Sequence, residues 1–168
     1  MKNFLFLLLF AIPAYSLTSP SKTIMAREDS AEVLLNNALT QAKIENKLVF
    51  LRFSETWCSY CTRMQKILDR PNMQRILGKE LIDLKIDLTN TPGARPIYKK
   101  YTHEVGGVPW FAFLDTAGAA AATSVGPEGN IGCPATDGEI TFFTGELKRT
   151  TKLSDSELEE VAYEFKHP

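Results

Sequence analysis

The 168-residue chain carries 19 basic and 20 acidic residues, a net charge of -1, with 44% hydrophobic and 23% charged positions. That length and balance describe one domain around a single core. With Lys99-Lys100 and Lys148-Arg149 as the only adjacent basic pairs, no basic stripe exists to track phosphates, and no nucleic-acid partner is expected.

Met1-Lys2-Asn3 precedes an apolar run from Phe4 to Ala14, and Ala14-Tyr15-Ser16 places small residues where a signal peptidase reads. The pattern predicts a signal peptide over residues 1–16, cleaved after Ser16, and a periplasmic or secreted mature protein. A membrane anchor fits less well, because the run is shorter than the roughly 20 residues a spanning helix needs and Pro13 interrupts it. Residues 17–29 lack periodicity and read as a linker or a short first strand.

From residue 30 the pattern is that of one folded unit reaching residue 168. Asp29-Ser30 caps a helix to about residue 45, with Leu34, Leu35, Ala38, Leu39 and Ala42 on one face. Leu48-Val49-Phe50-Leu51 is a continuous apolar run, as expected of a strand buried on both faces. Next come Ser54-Glu55-Thr56, the motif Trp57-Cys58-Ser59-Tyr60-Cys61, and helical spacing of Met64, Ile67 and Leu68 up to Pro71.

A short helix around Met73 to Leu77 leads to a strand over Leu81–Asp87, and Thr91-Pro92 opens a helix through Tyr98. Val108-Pro109-Trp110 begins a further apolar strand to Leu114, with the proline at its permitted first position. Residues 116–138 hold five of the ten glycines and read as a long loop insertion before a last strand, Ile140 to Phe143. Ser154-Asp155-Ser156-Glu157 is a capping box before a final amphipathic helix. The alternation implies an α/β fold with helices flanking a central sheet.

Two cysteines three apart at a helix start can close a small disulfide ring and open it again. Cys58 would meet the outward-pointing N–H groups of the helix, which stabilise a thiolate and make it the nucleophile. Cys61, one turn inward and shielded, would resolve the mixed disulfide. The alternatives are an inert disulfide, or half of a zinc site that needs two more ligands from Cys133, His103 or His167; with no second close pair, neither a metal nor another cofactor is expected.

The cysteine motif after a buried strand, followed by Gly107-Val108-Pro109 opening a later one, resembles the thioredoxin superfamily. Glu55-Thr56-Trp57-Cys58, Met64 and the strand from Val108-Pro109 to Phe113-Leu114-Asp115 further resemble exported thioredoxin-like proteins related to the C-terminal reductase domain of DsbD, over roughly residues 30 to 115. The resemblance implies a thioredoxin fold with a mixed sheet. It also implies a cis Pro109 against the cysteines and a Val108 backbone that pairs with the substrate chain. Trp110 reads as core.

The Ser59-Tyr60 dipeptide matches neither the Gly-Pro of reducing thioredoxins nor the Pro-His of strong oxidants, and its aromatic second residue resembles glutaredoxins and disulfide isomerases. One departure stands out. Where thioredoxins bury an acid six positions before the first cysteine, this chain has Arg52, and alignment puts Asp83 where the family often has a partnering lysine. The expectation is a partly buried Arg52–Asp83 pair beneath the active site, with Asp83 or Glu55 relaying the proton, against an Arg52 that snorkels to solvent.

These readings converge on an exported disulfide reductase or isomerase acting on protein disulfides. A monomer supplied by a membrane-embedded electron donor is expected. A disulfide oxidase and a non-catalytic binding module are the alternatives. Cys133, in Gly132-Cys133-Pro134, is either a reactive or regulatory thiol or a small buried hydrophobe. His103 is either a neutral-pH titrating group facing the site or a solvated loop residue.

Overall fold

Ser30 accepts from the Val33 N–H and starts helix α1 (Ala31–Glu45), which ends where Asn46 turns left-handed at φ 53°. The computed structural model describes residues 29–103 and 105–168, so the expected signal peptide and all but the last residue of the expected linker lie outside the described residues. Strand β1 (Leu48–Ser54) follows, then α2 (Ser59–Leu68) and α3 (Pro71–Leu77), the latter with Pro71 in its first turn where no N–H is needed. Strand β2 (Leu81–Asp87) leads into α4 (Ala94–Thr102), which Gly93 opens at φ 73°.

Strands β3 (Trp110–Leu114) and β4 (Ala120–Thr123) complete a sheet of order β2-β1-β3-β4, parallel between β1 and β2 and antiparallel elsewhere. This is the mixed sheet that the resemblance implied. A two-stranded hairpin, β5 (Val125–Gly126) with β6 (Gly129–Asn130), precedes α5 (Asp137–Thr150) and α6 (Asp155–Lys166).

Two expectations are corrected here. Ile140 to Phe143 is not a strand but the second turn of α5, whose start Thr136 and Glu139 fix with a reciprocal capping box. Ile140, Phe143 and Leu147 are buried at helical spacing, and a four-residue apolar run alone does not distinguish the two states. Residues 116–138 are likewise not one loop before the last strand. They contain β4, the last strand of the main sheet, and the hairpin beyond it.

The sheet separates two apolar layers. Phe50, Phe111 and Phe113 face α2, α3, α5 and α6, and their rings meet Phe143, which in turn meets Phe165. Leu51, Phe53, Trp110 and Ala112 face α1 and α4. Burial on both sides explains why β1 and β3 read as unbroken apolar runs. It also fixes the end of β1, and with it the start of α2, where the cysteines lie. No helix among the described residues is long and apolar enough to cross a membrane.

Candidate active site

Cys58 is the N-cap of α2, with extended backbone, and its sulfur accepts the Cys61 N–H at 3.1 Å. Sulfur thus occupies the position that a cap oxygen takes in an ordinary helix, against N–H groups that lack carbonyl partners. The two cysteines are joined as a disulfide with Cα atoms 5.2 Å apart. No acid sits in the first turn of α2 and Lys66 lies in its last, so the end facing the sulfurs keeps its partial positive charge.

Cys61 is no more shielded than Cys58: the residues are 9% and 4% exposed. The S–S bond holds the sulfurs side by side, and the Val108 carbonyl oxygen lies 3.6 Å from the Cys58 sulfur. Ser59 and Tyr60 form the first turn, and the Trp57 and Tyr60 side chains stand out into solvent on either side of Cys58. They make an exposed aromatic rim around a buried disulfide.

The Val108–Pro109 peptide bond is cis. Its segment is tied from both ends. The Tyr98 hydroxyl accepts the Gly107 N–H at 2.7 Å and donates to the Gly107 carbonyl at 3.1 Å. The Asn130 side-chain amide donates to the Pro109 carbonyl at 3.0 Å while its oxygen accepts the Gly132 N–H at 3.1 Å.

Glu55 is engaged below the rim. Its carboxylate accepts the Trp57 indole N–H at 2.5 Å and a guanidinium N–H of Arg95 at 3.1 Å. Arg52 does not snorkel. It donates twice to the Asp83 carboxylate, at 2.7 and 2.6 Å, and once to the Gln65 side-chain oxygen at 3.3 Å. Its side chain is 4% exposed against 53% for Asp83, so a buried cation meets a half-solvated anion. Gln65 lies one turn beyond Cys61 on α2, and the pair therefore braces the helix that carries the cysteines. The Cys58 N–H donates to the Glu55 carbonyl at 3.1 Å, but among the described residues no hydrogen bond joins the Glu55 or Asp83 carboxylate to either cysteine.

Cys133 is buried and unbonded, packed with Phe111 and Phe143 in the larger apolar layer. Burial pushes its thiol up to about 11, a rise that Arg63 opposes and Glu139 reinforces. A thiol that stays protonated at neutral pH is a poor nucleophile, which matches the small-hydrophobe reading. His103 is exposed just past α4, and Trp110 is core. Tyr98, Gln65, Arg95 and Asn130 were not singled out by the sequence. Asn130, between Gly129 and Gly132, looks like any turn residue until the hairpin is folded back onto Pro109.

Residues 31–116 match the family model described as thioredoxin-like. No curated protein matches the chain. Among solved structures, a disulphide isomerase from Xylella fastidiosa Temecula1 is similar at TM-score 0.59 and 22% identity, covering 79% of this chain and 99% of that one. A thioredoxin from Thermus thermophilus shares 24% identity at TM-score 0.48, covering 67% and 80%. The C-terminal domain of DsbD from Neisseria meningitidis, in its oxidised form, shares 23% at TM-score 0.44, covering 58% and 84%. The Xylella likeness shows a common fold.

Proposed function

We propose that this chain, which belongs to the thioredoxin-like family and is a thiol-disulfide oxidoreductase in fold and dithiol chemistry, reduces or isomerises disulfides of exported proteins. The observation that carries the reading is Cys58 at the N-cap of α2, its sulfur accepting an N–H and bonded to Cys61.

In the reduced enzyme the Cys58 thiolate attacks one sulfur of a substrate disulfide. A mixed disulfide forms, and the other substrate sulfur leaves as a thiolate that takes up a proton. Cys61, deprotonated, then attacks the Cys58 sulfur, the second substrate thiolate leaves, and the Cys58–Cys61 bond closes. Two electrons pass to the substrate, and a dithiol donor must return them; a membrane-embedded donor fits the export that residues 1–16 suggest. Asp83 and Glu55 are the proposed proton relays. The Val108 backbone is the proposed pairing edge for an extended substrate chain, with Pro109 holding it beside Cys58 and the Trp57 and Tyr60 rings flanking the approach.

Turnover of insulin or scrambled ribonuclease by the wild type, absent in Cys58→Ser, is the primary test. Inactivity of the wild type toward both would reject the enzymatic reading in favour of a binding module. A reduction potential below about -180 mV fits a reductase or isomerase, whereas one near about -120 mV points to an oxidase. Unchanged pH-rate profiles in Asp83→Asn and Glu55→Gln would remove both carboxylates from the proton path.

A further inference from the structure

We infer that Asn130 is a positioning residue, its carboxamide holding the Val108–Pro109 segment where the Val108 backbone can receive a substrate chain beside Cys58. The inference rests on the function proposed above.

The atom facing the Gly132 N–H must be an acceptor, because an N–H can only donate. That assigns the Asn130 oxygen to Gly132 and leaves its NH2 group to donate to the Pro109 carbonyl, one residue from the oxygen that lies 3.6 Å from the Cys58 sulfur. The amide, half-buried, also lies close against both segments. A Cβ on Gly107 would lie 3.3 Å from the Asn130 nitrogen, and a Cβ on Gly132 would lie 3.1 Å from the Pro109 oxygen. Gly107 and Gly132, both at positive φ, thus leave the room in which one amide bridges two segments.

The hairpin that presents Asn130 is itself anchored. Buried Ser124 accepts the Phe111 N–H through its hydroxyl at 3.1 Å, donates its own N–H to the Phe111 carbonyl at 2.8 Å, and accepts the Ile131 N–H at 2.8 Å. β3 therefore holds β5 and β6, and β6 holds Pro109. Tyr98 holds the same segment at Gly107 from α4. Two separate elements thus fix the stretch between them, α4 through the Tyr98 hydroxyl and the β5–β6 hairpin through the Asn130 carboxamide.

Asn130→Asp tests this, because it keeps the acceptor for Gly132 but turns the donor into a second acceptor against the Pro109 carbonyl. The KM for insulin is expected to rise about tenfold, the scale of one disrupted hydrogen bond, with kcat within about twofold. The rate with the small disulfide 5,5'-dithiobis(2-nitrobenzoate) stays within about twofold of wild type, because so small a disulfide makes no strand pairing. An unchanged KM overturns the inference. So does a parallel fall in both substrates together with Tm, which would mark a purely structural role. Asn130→Ala, which adds no repulsion, is read the same way if the aspartate variant does not fold. Hydrogen exchange supplies a readout independent of turnover: the amides of Gly107, Val108 and Trp110 exchange at least about tenfold faster in the variant while those of β1 do not change. Unaltered protection at 107–110 refutes the positioning role even if the wild type reduces nothing, whereas an inactive wild type with altered protection refutes only the function it rests on.

Discussion

Asp83→Asn is expected to destabilise the protein more than removal of the whole Arg52–Asp83 pair. At about 4 Å, opposite unit charges attract by about 4 kcal/mol at an effective dielectric of 20 and by about 1 kcal/mol in water. Asp83 is half solvated, so the discounted value is about 1–2 kcal/mol. Asparagine keeps one acceptor for the guanidinium, so one of the two bonds at 2.7 and 2.6 Å survives, but the cation stays buried without a counter-ion. The expected loss is about 1.5 kcal/mol. Arg52→Met retains an apolar stem near the Phe50 ring, over which the guanidinium carbon sits at 5.5 Å, and leaves Asp83 in water, at a cost below about 1 kcal/mol. The double variant should then match Arg52→Met within about 0.5 kcal/mol. Urea unfolding of the oxidised protein at pH 7, read as midpoint shifts at constant slope, measures all four corners of the cycle. A stability of Asp83→Asn within about 0.5 kcal/mol of wild type, or additive losses in the double variant, would refute the argument.

Cys133, with its thiol raised to about 11, should resist iodoacetamide at pH 8 in the reduced native protein while Cys58 reacts, and mass spectrometry of the labelled peptides decides it. Because the folded value lies above the unfolded one, the associated stability is complete below about pH 8.5 and is lost as pH rises towards about 11, a loss on the order of 2 kcal/mol that Cys133→Ala should abolish in alkaline unfolding curves. Gly132→Ala imposes a left-handed conformation and a close contact with the Pro109 oxygen, and should lower stability by about 1–2 kcal/mol; an unchanged Tm would count against the close approach. For Glu139, desolvation raises the carboxyl but is outweighed by N–H groups of Thr136 and Ala135, which hold it below the usual range. Its contribution is therefore present above the unfolded value near 4.3 and fades as pH falls below it, so Glu139→Gln should flatten the acid limb of the stability curve.

The apolar runs of β1 and β3 were legible because burial on both faces leaves an unbroken signature, and the capping box of α6 was legible because it is local in sequence. The Arg52–Asp83 pair was reachable only through the resemblance, since residues 31 apart carry no local pattern. β4 was missed because Ala120 to Ala122 has little strand propensity of its own and is held by pairing with β3. Phe142 and Phe143 suggested a strand, yet the cap at Thr136 and the pairing of Ile140 with Leu147 along one face decide for helix. The tie between Asn130 and Pro109 spans 21 residues and depends on where a hairpin lands, which no periodicity encodes.

The main sheet ends in two strands that do not invite a third. On β4, the Arg149 guanidinium donates to the Ala121 carbonyl at 2.7 Å while pairing with Glu146, so one outward carbonyl is already taken. On β2, exposed Asp83 and Lys85 alternate with buried Leu84 and Ile86, putting fixed charges along that rim. Guarded margins of this kind keep a sheet from adding a strand of a neighbouring chain, or of a second copy of itself, and so from seeding aggregation.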